Sequence, residues 1–196
     1  MRSFNEGIDW TNLAYLQSGH VVQTEVFALL TKHRIMEKLA IYDPVLVGTV
    51  PIGIQTASSD LDIICCVADF DRFEADARTL FHREAGFVCK RSEAAGDRSE
   101  RITVNFMVEN WPIELFGERL PVRQQNGFRH MVIESRLLAL FGEAFRVRVV
   151  RLKNEGMKTE PAFARVLRIA GDPYGGLLAL ETWSDEKLEA LLTKES

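Results

Sequence analysis

The sequence has few cysteines, no long apolar run and no excess of positive charge, and each deficit argues against a class of protein. Its three cysteines, Cys65, Cys66 and Cys89, are odd in number and two are adjacent, which argues against a disulfide framework. No Cys-x-x-Cys pair is present, and the four histidines are too scattered for a zinc signature. The cysteines are therefore expected to be small apolar residues in strands.

No apolar run approaches the roughly 18 residues of a membrane span, and the N-terminus MRSFNEGIDW lacks the apolar core of a signal peptide. We therefore expect a cytoplasmic protein without a membrane partner. The chain has 24 Lys and Arg against 28 Asp and Glu, which gives a net charge of −4. This balance offers no bulk electrostatic reason to bind nucleic acid, although it leaves such binding open. Any phosphate-bearing ligand must be held locally.

Apolar residues make up 46% of the 196 residues, enough for one substantial core or two small ones. Their spacing predicts an α/β (α+β) domain over residues 1–120, and a helical region over residues 121–196 that packs on it as one compact unit. The predicted strands are Val45–Val47 and residues 63–67, 87–91, 101–108 and 111–117, with a hairpin connection at Gly96-Asp97. The predicted helices cover residues 9–16, 21–40, 70–85, 128–141 and 143–155, and three more begin at Thr159, Asp172 and Ser184.

Three acids stand at or within predicted strands. Asp60 and Asp62 lead into a buried strand and should project to one face, with Leu61 and Ile63 on the other. Glu114 interrupts a later apolar run. Paired carboxylates suit a hard divalent cation. The alternative is that Asp-x-Asp simply opens a strand, and that Glu114 is a surface residue of an edge strand.

The chain carries Gly48-Thr49 after an apolar strand, then Ser59-Asp60-Leu61-Asp62-Ile63, and later Ile113-Glu114-Leu115. This pattern resembles the signature of the nucleotidyltransferase superfamily typified by DNA polymerase β and the kanamycin nucleotidyltransferases. The resemblance covers roughly residues 45–117 and implies a small mixed β-sheet flanked by helices. Over its whole length the chain also resembles a bacterial family of predicted nucleotidyltransferase-like proteins, through YDPVLVGTVPIGI, SSDLDIIC, FRHMVIESRLL and GMKTEPAFARVL. No activity comes with this second resemblance.

The superfamily resemblance implies a metal-dependent catalytic site made of Asp60, Asp62 and Glu114. Two Mg²⁺ or Mn²⁺ ions held there would bridge the triphosphate of ATP or another nucleoside triphosphate. They would also align an acceptor hydroxyl for in-line attack on the α-phosphorus. Glu114 would lie nearest the acceptor and help to deprotonate it.

The same resemblance implies that Gly48, Thr49 and Ser59 bind the nucleotide. Gly48 permits a close approach of backbone to phosphate, and the two hydroxyls would bond to phosphate oxygens. Any helix that starts after Thr49 would add its amide donors. Two departures stand out: position 49 is Thr where Ser or Gly is commoner, and residues 50–58 contain no Arg or Lys. The negative charge of a nucleotide must then be met by metal, by amides or by the C-terminal half.

Basic residues of the C-terminal half offer possible substrate contacts. His130 and Lys158 are the first choices because each lies near an element junction, and Arg129 and Lys153 are further candidates. The simpler explanation for each is an ordinary helix-face charge or capping residue. Two functions remain open: transfer of a nucleotidyl group to a small molecule, RNA end or protein, or a catalytically inactive nucleotide-binding, regulatory or antitoxin-type module. The three acids favour nucleotidyl transfer, and the lack of Arg or Lys in residues 50–58 favours the inactive module.

Overall fold

A five-stranded mixed β-sheet organises the first half of the chain. The computed structural model describes residues 8–92 and 100–193. Within these ranges the strand order is β1-β2-β5-β4-β3; β2 and β5 run parallel and the other neighbours antiparallel. The strands are β1 (Val45–Val47), β2 (Leu61–Cys66), β3 (Ala85–Ser92), β4 (Arg101–Val108) and β5 (Trp111–Glu118). The predicted α+β class is confirmed, whereas the predicted hairpin connection at Gly96-Asp97 lies outside the described residues.

The alternation of apolar residues explains which face of the sheet is buried. In β4, Ile102, Val104, Phe106 and Val108 are at most 2% exposed, while the residues between them are half-buried. This is the pattern of a strand with one face in a core. The bounds of β4 are those predicted from the sequence.

Helices precede, follow and connect the strands. They are α1 (Val21–Lys32), α2 (Ile35–Lys38), α3 (Phe70–Phe81), α4 (Asn126–Asn154), α5 (Thr159–Leu167), α6 (Pro173–Leu178) and α7 (Asp185–Thr193). Short 3₁₀ helices cover Leu13–Ser18, Ala40–Tyr42, Val122–Gln124 and Ala179–Thr182. The helical character of the C-terminal half is confirmed.

Several helix boundaries differ from the prediction. The helix predicted over residues 9–16 is instead a 3₁₀ helix over Leu13–Ser18. The single helix predicted over residues 21–40 is wrong, because Arg34 adopts a left-handed conformation (φ 53°, ψ 37°) that separates α1 from α2. The helix predicted to run up to Gly86 ends at Phe81, since β3 already begins at Ala85. Lys158, not Thr159, is the N-cap of α5.

One break in α4 confirms a prediction. Gly142 (φ 72°, ψ −163°) lies outside the helical region and divides α4 into two helical segments. Its positive φ is accessible to glycine without steric cost, which explains why the chain breaks at this residue. The helix opened by Asp172 is also confirmed, because its carboxylate accepts hydrogen bonds from the backbone N–H groups of Tyr174 and Gly175.

The described chain divides into two compact units, which we call the sheet unit and the helical unit. The sheet unit comprises Asp9–Pro51 and Ser59–Phe128; the helical unit comprises Ile52–Ser58 and residues 129–193. In the sheet unit, α1 and α3 contribute buried apolar side chains to the same core as the strands. In the helical unit, the ring of Phe163 packs edge-on against Phe145. The domain division predicted near residue 120 stays a prediction.

Among the described residues, no helix combines the length and apolar character needed to cross a membrane. The cytoplasmic location stays a prediction.

Candidate functional site

Three carboxylates meet in the middle of the sheet, where β2 and β5 run side by side. Asp62 of β2 is the direct partner of Glu114 of β5, and Asp60 immediately precedes β2. One carboxylate oxygen from each residue lies within 4.8 Å of those of the other two. The structure therefore brings together the three acids that the sequence singled out, and we call them the acid cluster.

The acid cluster projects from the sheet face that is opposite the apolar core. Leu61 and Ile63 are fully buried, whereas Asp62 and Glu114 are half-buried and Asp60 is exposed. Alternation along β2 explains this division, because neighbouring side chains of a strand point to opposite faces. Oxygen ligands that remain open to water suit Mg²⁺ or Mn²⁺, since these ions keep several waters in their coordination shell. The donor set thus fits the metal that the resemblance implies.

The turn after β1 lies against the acid cluster. Gly48 has φ +81°, and a Cβ built on it would overlap Asp62 Oδ2. Glycine is therefore required here both by the backbone conformation and by the closeness of the carboxylate. Thr49 Oγ1 donates a hydrogen bond of 3.1 Å to Ser59 Oγ, so the two predicted phosphate-binding hydroxyls are neighbours. Residues 49–60 form turns and irregular structure, so no helix starts in this segment to add its amide donors.

A basic side chain that the sequence did not single out, Arg146, contacts the loop of residues 50–58, which has no Lys or Arg of its own. Arg146 Nη1 donates to the backbone oxygens of Ile52 and Gly53, at 2.8 and 2.9 Å. All three residues belong to the helical unit. An arginine on the polar side of an amphipathic helix carries no signal that distinguishes it from a solvated one, which explains why it was missed. Its guanidinium is held by backbone carbonyls.

The predicted substrate contacts lie in the helical unit. Lys158 is exposed at the start of α5, while His130 on α4 is only 6% exposed. Arg129 forms an ion pair with Glu181, its Nη2 lying 2.6 Å from Oε2. Burial raises the pKa of the Glu134 carboxyl well above its usual range. The charge of Lys153 acts on the same pKa in the opposite direction. Any role of His130 and Lys158 in substrate binding stays a prediction.

The fold around the acid cluster is similar to that of solved poly(U) polymerase structures. The chain is similar in structure to the Cid1 poly(U) polymerase with MgGTP bound, at 15% identity and a TM-score of 0.50, over 74% of this chain and 48% of that one. It is also similar to a Cid1 structure described for its RNA terminal uridylyl transferase activity, at 16% identity and a TM-score of 0.51, over 74% and 47%. The chain thus spans about half the length of these polymerases. No curated protein matches it.

Within this fold class the chain belongs to the family described as a domain of unknown function, DUF4269, whose model matches residues 28–180. The matched segment includes the whole sheet and all three members of the acid cluster.

Proposed function

We propose that the chain transfers a nucleoside monophosphate from ATP or another nucleoside triphosphate to a hydroxyl acceptor. The observation that carries this proposal is the meeting of Asp60, Asp62 and Glu114 within 4.8 Å on the sheet face opposite the core. Three carboxylates this close repel one another, and a divalent cation would offset that repulsion. The likeness in fold to poly(U) polymerase supports the same reaction class.

Each carboxylate has a distinct position relative to the sheet. Asp62 and Glu114 are fixed by the ladder between β2 and β5, while Asp60 precedes the strand. When bound, Mg²⁺ or Mn²⁺ would neutralise charge on the attacking and leaving oxygens of the phosphoryl transfer. Asp60 and Asp62 would hold the metal beside the triphosphate. Glu114 would orient the acceptor hydroxyl and accept its proton.

The turn after β1 would bind the phosphates. With no side chain at Gly48, the backbone there is open to a phosphate group next to Asp62. The hydroxyl groups of Thr49 and Ser59, 3.1 Å apart, would donate hydrogen bonds to its oxygens. These contacts would hold and orient the nucleotide.

The alternative function is a catalytically inactive module that binds a nucleotide or regulates a partner, in the manner of an antitoxin. Residues 50–58 carry no Lys or Arg, and Arg146 is bound to the carbonyls of Ile52 and Gly53. A site with little positive charge of its own would still bind a metal–nucleotide complex. It would, however, poorly stabilise the negative charge that develops in the transition state of the transfer. This observation favours binding without turnover.

Asp62→Asn tests the metal assignment. We measure the thermal stability of the full chain with Mg²⁺ or Mn²⁺ and each nucleoside triphosphate, together with pyrophosphate release in the presence of pools of small molecules, RNA and proteins. Ligand at about 100 times its Kd should stabilise the wild type by about 2.7 kcal/mol. Asp62→Asn should lose this stabilisation while keeping its fold, because Asn has the shape of Asp but not its charge.

Asp69→Asn is the matched control. It removes the same charge in the same unit, and Asn serves as well as Asp at the N-cap of α3. The control should respond to nucleotide and metal as the wild type does. If Asp62→Asn binds as well as Asp69→Asn, the metal assignment is wrong. If wild type binds nucleotide but releases no pyrophosphate with any pool, the inactive module is the correct function.

A further inference from the structure

A second group of metal-ligating side chains lies in the helical unit, made of His130, Glu134 and Glu160. His130 and Glu134 are four residues apart on α4 and therefore share one helix face. Glu160 belongs to the first turn of α5. One imidazole nitrogen of His130 and one carboxylate oxygen of each glutamate lie within 4.8 Å of one another.

Two of these side chains are buried and have polar atoms without hydrogen-bond partners. His130 is 6% exposed and Glu134 is 3% exposed. Over residues 8–92 and 100–193, His130 Nδ1 and Glu134 Oε1 find no partner. Buried polar atoms are nearly always satisfied in native proteins, so each such atom needs a physical explanation. A bound cation would supply a partner for both.

The ring of Tyr174 holds the imidazole of His130 in place. It packs edge-on against the His130 ring, with centroids 6.0 Å apart. A fixed ring keeps one imidazole nitrogen within 4.8 Å of the glutamate oxygens, and imidazole is the commonest metal ligand among side chains.

We propose that His130, Glu134 and Glu160 form a second metal site, which binds one transition-metal dication of the Zn²⁺ type. Imidazole together with carboxylate suits such an ion, whereas Mg²⁺ and Ca²⁺ prefer oxygen ligands alone. The acid cluster of the sheet, which has only oxygen donors, has the opposite preference. The two sites therefore differ in the metal they select.

The geometry requires only a small adjustment to accept the ion. Ligand atoms of a tetrahedral zinc lie about 3.4 Å apart when each is about 2.1 Å from the metal. The ligand atoms now lie within 4.8 Å of one another. Rotation of Glu160 would shorten these distances, because this side chain is partly exposed and has room to move. This exposure also provides the route by which the metal enters. Three protein ligands leave a fourth position for water or another ligand.

The site would tie α4 to α5, and it would exist whether or not the acid cluster binds Mg²⁺. The alternative is a metal-free pair of buried side chains, His130 and Glu134. The pair and the metal site make opposite predictions about the binding of Zn²⁺. Only the metal site also predicts that Zn²⁺ binding depends on Glu160, which is partly exposed.

The experiment titrates Zn²⁺ into the full chain after treatment with chelator, by calorimetry and by thermal unfolding. It is done on the Asp62→Asn background so that the acid cluster contributes little. We expect one Zn²⁺ per chain and a higher unfolding temperature. Glu134→Gln and Glu160→Gln should each weaken binding by more than about tenfold. Co²⁺ in place of Zn²⁺ should give the visible absorption of a tetrahedral complex, and Mg²⁺ should not displace it.

Glu155→Gln is the matched control, because it removes one carboxylate just after α4 from a side chain that is 55% exposed. Its Zn²⁺ affinity should equal that of the parent. Glu160→Gln on the wild-type background should keep metal-dependent nucleotide binding, which separates this site from the proposed nucleotidyl site. Absence of Zn²⁺ binding, or equal affinity in Glu134→Gln, Glu160→Gln and Glu155→Gln, would overturn the second site.

Discussion

Replacing Gly48 by alanine should have two effects at the turn beside the acid cluster: backbone strain and displacement of the Asp62 side chain. Gly48 has φ +81°, where an L side chain is strained by about 1–2 kcal/mol. The new Cβ would also overlap Asp62 Oδ2 and come within 3.4 Å of Asp62 Cγ. The Asp62 side chain must therefore move away from the position in which it faces Glu114. A metal ligand displaced in this way should lower the affinity for Mn²⁺ with nucleotide by about tenfold or more, that is, by about 1.4 kcal/mol.

Gly86→Ala serves as the control for backbone strain. Gly86 has φ +71° and belongs to the same unit, but a Cβ there meets Met107 Cγ at 3.9 Å, an ordinary van der Waals contact. Urea unfolding should show both variants to be less stable by about 1–2 kcal/mol. Titration with Mn²⁺ and nucleotide should show weakened binding in Gly48→Ala alone. Wild-type affinity in Gly48→Ala would refute the placement of Asp62 in the metal site.

Two further predictions concern the sheet unit. In urea unfolding, the free energy of unfolding of Arg34→Gly should exceed that of Arg34→Ala by about 1 kcal/mol. Both variants lose the exposed ion pair with Glu37, but only Gly relieves the left-handed strain. Equal stability would contradict this explanation of the break between α1 and α2. Burial raises the pKa of the Cys65 thiol to about 12, so at pH 8 about one in ten thousand is thiolate. A thiol reagent should then label the partly exposed Cys66 and Cys89 in the folded protein, and Cys65 only in denaturant; fast labelling of all three would contradict the burial.

The sequence predicted those parts of the fold in which local pattern and burial agree. The strand Arg101–Val108 alternates without interruption, and its bounds are those observed. The break at Arg34 was missed because apolar residues keep helical spacing across it, and neither Gly nor Pro marks it. The side-by-side position of β2 and β5 is a long-range property, which spacing along the chain does not contain. The expectation that Asp62 meets Glu114 came from the family resemblance.

The two proposed metal sites illustrate the same limit. The spacing of His130 and Glu134 could have signalled a shared helix face, because they are four residues apart. Nothing in the sequence relates them to Glu160 on the next helix, which only the packing of α4 and α5 brings within 4.8 Å. Arg146 was missed for the same reason, since its partners are backbone carbonyls far away along the chain.

The most direct test of the nucleotidyl site is a crystal of the full chain soaked with Mn²⁺ and a non-hydrolysable nucleoside triphosphate. Anomalous scattering then locates the metal without reference to activity. We expect Mn²⁺ between Asp60, Asp62 and Glu114, with the phosphates against Gly48 and the hydroxyl of Thr49. A nucleotide bound with no Mn²⁺ at these carboxylates, or Mn²⁺ bound only elsewhere, would contradict the proposed site.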